Sequence, residues 1–193
     1  MKSATKKQGT LFLIVGPSQV GKDSIIRALL KRRSLQLRKV VTMTTRQKRP
    51  KEIDNVSYFF VSDDEFDREI QRGNLMEWVH IQSHRSGSPK HPTIDLLKRG
   101  QNLILHIDVY GADMLMKRKD LRTFSIFIAP GSLDDIKRRL MKKHFSEHER
   151  KVRWQTTVKE MKRIADYDVR VINVQGKLNQ TIHEVEEIIR AVR

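Results

Sequence analysis

Residues Leu11 to Ser24, LFLIVGPSQVGKDS, constrain this chain more than any other stretch. The apolar run Leu11-Phe12-Leu13-Ile14-Val15 predicts a buried strand. Gly16-Pro17-Ser18-Gln19-Val20-Gly21-Lys22 follows it in the spacing G-x-x-x-x-G-K, and Ser24-Ile25-Ile26-Arg27-Ala28-Leu29-Leu30 has helical periodicity. Strand, glycine loop and helix in this order make a phosphate-binding loop. The glycines permit successive N–H groups to point inward, the helix N-terminus adds partial positive charge, and Lys22 can reach the outer phosphates. A plain Gly-rich turn would not require the spacing, the lysine and both flanks to agree.

One position departs from the motif. After Lys22 the pattern asks for Ser or Thr, whose hydroxyl ligates a magnesium ion on the nucleotide phosphates, and this chain has Asp23. A carboxylate is a good magnesium ligand but also a negative charge beside phosphate. Three outcomes are open: Asp23 binds the metal directly, holds it through water, or weakens the site. Ser24 is no obvious substitute, since it lies about 100° further round the helix.

At 193 residues, 38% of them hydrophobic, the chain can bury one good core, so one domain with insertions is expected. No apolar run reaches membrane-spanning length, and Met1 to Gln8 is polar rather than a signal peptide; a cytoplasmic protein with no membrane association is expected. The absence of cysteine excludes disulfides and thiolate metal sites. The net charge of +16, from 39 Lys+Arg against 23 Asp+Glu, exceeds what a mononucleotide site needs. Nucleic acid is a conceivable partner on charge alone, but no recognition motif accompanies it, and a solvated basic surface accounts for it more simply.

Further along, β-rich pieces are expected at Val40 to Thr45, Val56 to Val61, Leu75 to Ile81, Asn102 to Asp108, Thr123 to Ala129 and Val169 to Asn173. The loop's helix is expected to run to about Arg33. Ser62 with Glu65 forms a capping box for a second helix, which Gly73 stops. Ser83 to Pro89 reads as a polar loop and Thr93 to Lys98 as a short helix. Residues 132 to 163 are helical in pattern, dense in Lys and Arg and broken near Phe145-Ser146. Leu178 to Val192 makes a last helix with Thr181, Glu184, Glu187 and Arg190 outside. Strands alternating with helices around a phosphate loop predict an α/β fold of the P-loop NTPase type, three layers about a parallel sheet.

Several short motifs in this order carry a resemblance: Gly16-Pro17-Ser18 to Gly21-Lys22, Thr44-Thr45-Arg46 with Arg49, Tyr58-Phe59-Phe60-Val61, Glu77-Trp78, Ile107-Asp108 with Gly111, and Ala165 with Tyr167-Asp168. From about Leu11 to the C-terminus the chain is similar to guanylate kinases. Each motif also has chemistry of its own. Arg46 and Arg49, three apart on a turn, can form bidentate, charge-assisted bonds to a phosphate dianion, with the Tyr58 hydroxyl nearby. Glu77 sits in an apolar strand and needs a partner, and guanine offers N1–H and 2-amino donors side by side where adenine does not.

The resemblance implies ATP and GMP as substrates and Mg²⁺ bound with ATP. It implies that Gly16, Pro17, Ser18, Gln19, Val20, Gly21, Lys22, Asp23 and Ser24 hold ATP, with Asn173 near the adenine and Asp23 at the metal. Thr42, Arg46, Arg49, Tyr58, Glu77, Ser86, Ser88 and Asp108 would hold GMP. Lys22, Arg46, Arg138, Arg139 and Arg153 would act on the transferring phosphoryl group. Residues 9–41, 93–131 and 164–193 would form the core, 42–92 an inserted small mixed GMP-binding domain, and 132–163 a helical lid.

Three departures from the family's pattern stand out. Ser86 occupies the place of a phosphate-binding tyrosine, with Arg85 beside it. His106 replaces an acid two residues before Asp108, and Lys142-Lys143-His144 stands where the lid has a Gly-Arg-Gly turn. Two other readings follow. Gly21-Lys22-Asp23-Ser24 is also similar to ribosyl bisphosphate phosphokinases, which would have no use for Glu77 and Asp108. A non-catalytic guanylate-kinase-like binding module would explain the departures together but not the intact Lys22 loop.

Overall fold

The computed structural model describes residues 7–81, 83–142 and 145–193. Met1 to Lys6, Gln82 and Lys143-His144, the last two in the stretch set against the family's lid turn, lie outside these described residues. The central sheet is built from β1 (Leu11–Val15), β2 (Arg38–Lys39), β7 (Leu103–His106), β8 (Thr123–Pro130) and β9 (Val169–Asn173), all parallel, in the order β2-β7-β1-β8-β9. β1 is the middle strand and every residue of it is buried. A parallel sheet covered on both faces demands such continuous apolar runs.

Alternation along β1 divides the core in two. Leu11, Leu13 and Val15 join Leu103, Leu105 and Phe127 under α3 (Lys90–Lys98) and α4 (Val109–Met116). Phe12 and Ile14 join Ile104, Ile126 and Ile128 under α1 (Lys22–Leu30), α5 (Leu133–Met141) and α7 (Leu178–Val192). The result is the expected three-layer α/β/α arrangement.

A second, four-stranded sheet interrupts it between β2 and α3. β3 (Met43–Thr44), β4 (Phe59–Phe60), β5 (Leu75–Ile81) and β6 (His84–Pro89) lie in the order β4-β3-β6-β5, with β3 and β4 parallel and the other pairs antiparallel. α2 (Asp63–Gln71) starts at Ser62 with the expected capping box, the Glu65 carboxylate accepting from the Ser62 N–H at 2.8 Å. The expected break near Phe145-Ser146 is also present: α5 ends at Met141 and α6 (Glu147–Met161) starts behind a second Ser/Glu capping box at Ser146 and Glu149.

Local readings are corrected in four places. The stretch taken for a polar loop is strand β6, because hydrogen bonding to β5 and β3 outweighs the weak β preference of Ser, Gly and Pro. The first helix ends at Leu30, and Leu35 turns back into the core from a 3₁₀ turn instead. The short helix begins at Lys90, ahead of Thr93. Thr181 lies inside rather than outside, 2% exposed, its Oγ1 donating to Asn173 Oδ1 at 3.0 Å.

The Asp168 side chain clips β8 to the start of β9. Its Oδ2 accepts from the Ser125 N–H at 2.7 Å and from Ser125 Oγ at 2.6 Å, while the Asp168 N–H donates back to Ser125 Oγ at 3.0 Å. Ser125 is fully buried, so Asp168→Ala leaves its N–H and its hydroxyl proton without an acceptor. We expect a loss of about 2–3 kcal/mol in urea denaturation.

Candidate active site

The two sheets face each other across a cleft of about 1120 Å³. One wall is the loop between β1 and α1. Gly16 has φ +131°, and a Cβ there would lie 2.2 Å from the Ile128 carbonyl oxygen, so a side chain is excluded and the backbone stays pressed against β8. Gly16, Ser18, Gln19, Val20, Gly21, Lys22, Asp23 and Ser24 line the cleft. Pro17 contributes its carbonyl, which accepts from Lys22 Nζ at 2.8 Å, and the Gly16 carbonyl accepts from the same ammonium. Lys22 is only 8% exposed. Burial lowers it to about 8, against the opposing pull of Glu160, Asp23 and Asp108.

Asn173 braces this wall from behind. Its Nδ2 donates to the Val20 carbonyl at 2.8 Å and its Oδ1 accepts from Thr181, so both ends of the amide are committed and the residue is buried. It does not line the cleft. Arg139 reaches the same loop, its Nη1 donating to the Gln19 carbonyl at 3.0 Å. Arg138, one position earlier on α5, points elsewhere: its guanidinium pairs with Asp135 and lines a separate shallow hollow with Lys137 and Lys142. Arg153, on α6, does line the cleft, with its guanidinium 4.2 Å from the Phe145 ring centroid.

The opposite wall is the second sheet. Thr42, Arg46, Arg49, Tyr58, Glu77 and Ser86 line it, joined by Asp108 from the end of β7. Arg46 is held by Glu52, with Nη1 and Nη2 each donating at 2.9 Å, and its guanidinium lies 5.2 Å from the Tyr58 ring centroid. Burial raises the Tyr58 phenol above its ordinary value. Arg85, adjacent to Ser86 on β6, faces the other side, paired with Asp63 and Asp67 over the Phe66 ring. It therefore brings no charge to the cleft.

Glu77 is 4% exposed, and its Oε1 accepts from Ser88 Oγ at 2.6 Å. Ser88 is fully buried and acts through that bond. Burial raises the Glu77 carboxyl to about 7 and the Asp108 carboxylate pushes the same way, while the Ser88 hydroxyl opposes them. A Cβ at position 111 would stand 2.9 Å from Glu77 Oε2, so Gly111 leaves the room that this carboxylate occupies. Asp108 caps α4, its Oδ1 accepting from the N–H groups of Tyr110 and Gly111 at 2.7 and 3.0 Å.

Two features went unread in the sequence. Glu160, on α6, lines the cleft with an Oε2 that is buried and lacks a hydrogen-bond partner among the described residues; burial raises it to about 7, with Lys22 opposing. No periodicity marks it within a helix dense in Lys and Arg. Asp23 Oδ1 stands 2.9 Å from His106 Nδ1, and this contact is the main cause holding the Asp23 carboxyl down to about 2. Burial lowers the His106 imidazole below its ordinary value. The parallel register Ile14↔His106 creates the contact, and it cannot be seen across the intervening residues of sequence.

A phosphate loop on a parallel sheet, facing an arginine-bearing second sheet across one cleft, defines a phosphate-loop kinase that handles two phosphorylated molecules at once. The family model described as guanylate kinase matches residues 8–192. The guanylate kinase of Mycoplasmoides gallisepticum is 36% identical over 186 residues, covering 96% of this chain and 94% of that one. That of Caldanaerobacter subterraneus is 34% identical, covering 96% and 89%. The crystal structure of guanylate kinase from Anaplasma phagocytophilum superposes with a TM-score of 0.79 at 26% identity, covering 96% of this chain and 87% of that one. The chain belongs to the guanylate kinase family.

Proposed function

We propose that the protein transfers the γ-phosphoryl group of ATP to GMP, giving ADP and GDP. The observation that carries this reading is Glu77, a carboxylate buried on the cleft that also holds the Lys22 loop, where its Oε1 accepts from Ser88 Oγ. A ribosyl acceptor has hydroxyls but no planar pair of N–H donors to match that carboxylate. Residues 16–24 hold the ATP phosphates, with Asn173 stiffening the loop. Arg46, Arg49 and Tyr58 hold the GMP phosphate. Lys22, Arg139 and Arg153 neutralise charge on the transferring group, an assignment that includes Arg138 only if its pair with Asp135 opens. Alignment and charge stabilisation suffice for this reaction, without a covalent intermediate.

A divalent cation belongs to this chemistry, and the donor set fits one: Asp23 is anionic, faces the cleft and follows the loop lysine. Asp23 would hold it, and the ion, when bound, would supply neutralisation of the nucleotide's phosphate charge. We further assign the core, GMP-binding and lid regions to residues 9–41, 93–131 and 164–193, to 42–92, and to 132–163. No helix among the described residues is long and apolar enough to cross a membrane, and we assign the enzyme to the cytoplasm, where its nucleotide substrates are.

Coupled ADP release with GMP, dGMP, AMP and ribose 1,5-bisphosphate tests the reading. GMP turnover is expected; turnover of ribose 1,5-bisphosphate alone, or of nothing, would overturn it. Ser86 lines the acceptor wall opposite Thr44, where a longer side chain has the cleft to enter. Ser86→Tyr is expected to lower the KM for GMP by about tenfold or more, as a phenol hydrogen bonded to a dianion contributes about 1.5–3 kcal/mol. Initial rates at varied GMP measure it, and base choice should not change.

A further inference from the structure

We propose that Asp23 and His106 together form a mixed carboxylate–imidazole seat for the nucleotide-bound cation, and that this seat favours a first-row transition ion such as Mn²⁺ over Mg²⁺. The inference rests on the phosphate-loop reading above. Asp23 stands in the first turn of α1, where the motif places a hydroxyl ligand. His106 is the last residue of β7, and the pairing of β7 with β1 delivers its ring to the start of the loop. Both side chains line the cleft.

The separation of 2.9 Å between Asp23 Oδ1 and His106 Nδ1 suits two ligands of one ion. Neighbouring donors on an octahedral ion with bonds of ~2.1 Å are ~3.0 Å apart. The two atoms already stand at this spacing, joined by a hydrogen bond whose proton a bound ion would replace. Mg²⁺ prefers an all-oxygen shell and gains little from imidazole, whereas first-row ions gain progressively more from it, Mn²⁺ the least and Co²⁺ and Zn²⁺ more. The ammonium groups of Lys22 and Lys39 act on both side chains and oppose a bare cation, so the ion has to arrive with phosphate charge. The competing arrangement has His106 as a positioning residue that orients Asp23 without touching the ion. The two differ in one observable, a nitrogen in the coordination shell.

The test is pulsed EPR on the wild-type protein with Mn²⁺ and ADP, together with calorimetric binding of ADP in the presence of Mn²⁺, of Mg²⁺ and of neither. The expected result is a coordinated ¹⁴N coupling, lost in His106→Gln. The ratio of Mn²⁺·ADP to Mg²⁺·ADP affinity should also fall on the order of tenfold in that variant. The wild-type spectrum needs no variant to fold, and thermal melting checks that His106→Gln does. ADP binding that requires metal but shows no ¹⁴N coupling would overturn the seat and leave the phosphate loop standing. Failure of ADP to bind under any condition would overturn both.

Discussion

Lys22→Met is expected to reduce kcat/KM on the order of 10³-fold without lowering the melting temperature. The loss follows from the position of the ammonium, which ends a phosphate loop and lies on the cleft, where a single preorganised donor to developing charge contributes 10²–10³ or more. The stability half follows from burial. At 8% exposure the ammonium is held to about 8, well below its ordinary 10.5, so folding disfavours its charged form. A depressed lysine contributes stability that is present above the unfolded value and lost as pH falls through about 8. At pH 7 the charged side chain is therefore a net cost, partly offset by the carbonyls of Gly16 and Pro17. Methionine removes the cost and fills the same volume. Activity and melting, measured together at pH 7, check both halves; turnover within tenfold of wild type would remove the phosphate-loop assignment, and a large drop in melting would show that Lys22 is structural.

The parts of the fold legible in the sequence were those in which local pattern and tertiary demand coincide. β1 is apolar throughout because both faces of its sheet are covered, and the Ser62/Glu65 box states its helix start in four residues. β6 was misread because its strand character comes from its neighbours; its own residues, His84 to Pro89, have the composition of a turn. The loop was readable for the same reason as β1, its chemistry being contiguous. Contacts between distant segments were not. Asp23 with His106, Glu160 facing Lys22, and Asn173 bracing Val20 each join elements far apart in the chain, and only the strand order brings them together. Arg138 and Arg139 look equivalent as neighbours, yet one helical step of about 100° sends one to Asp135 and the other to Gln19.

Acceptor choice is where the assignment is most exposed. Glu77 Oε1 accepts from Ser88 Oγ, and guanine presents N1–H and a 2-amino group to such a carboxylate. Adenine would present an acceptor and a C–H, leaving the carboxylate unpaired, and sites of this kind discriminate on the order of 10⁴-fold. We expect that preference for GMP over AMP in kcat/KM, and its collapse in Glu77→Gln through loss of GMP turnover rather than gain of AMP turnover. The proton adds a second signature. With Glu77 raised to about 7 by burial, the free enzyme holds a neutral carboxyl below that pH, while the proposed guanine contacts need the ionised form. The kcat/KM for GMP should therefore fall about tenfold per pH unit on the acid side of 7, and Glu77→Gln should flatten that limb. Stability should move the other way. A raised carboxyl contributes stability below the unfolded value of 4.5 that is lost as pH rises through about 7, so at pH 8 wild type contains a costly buried charge. Glu77→Gln should then be the more stable protein by about 1–3 kcal/mol in urea. Equal use of AMP and GMP by wild type, or a base preference and acid limb that survive in Glu77→Gln, would sink the assignment.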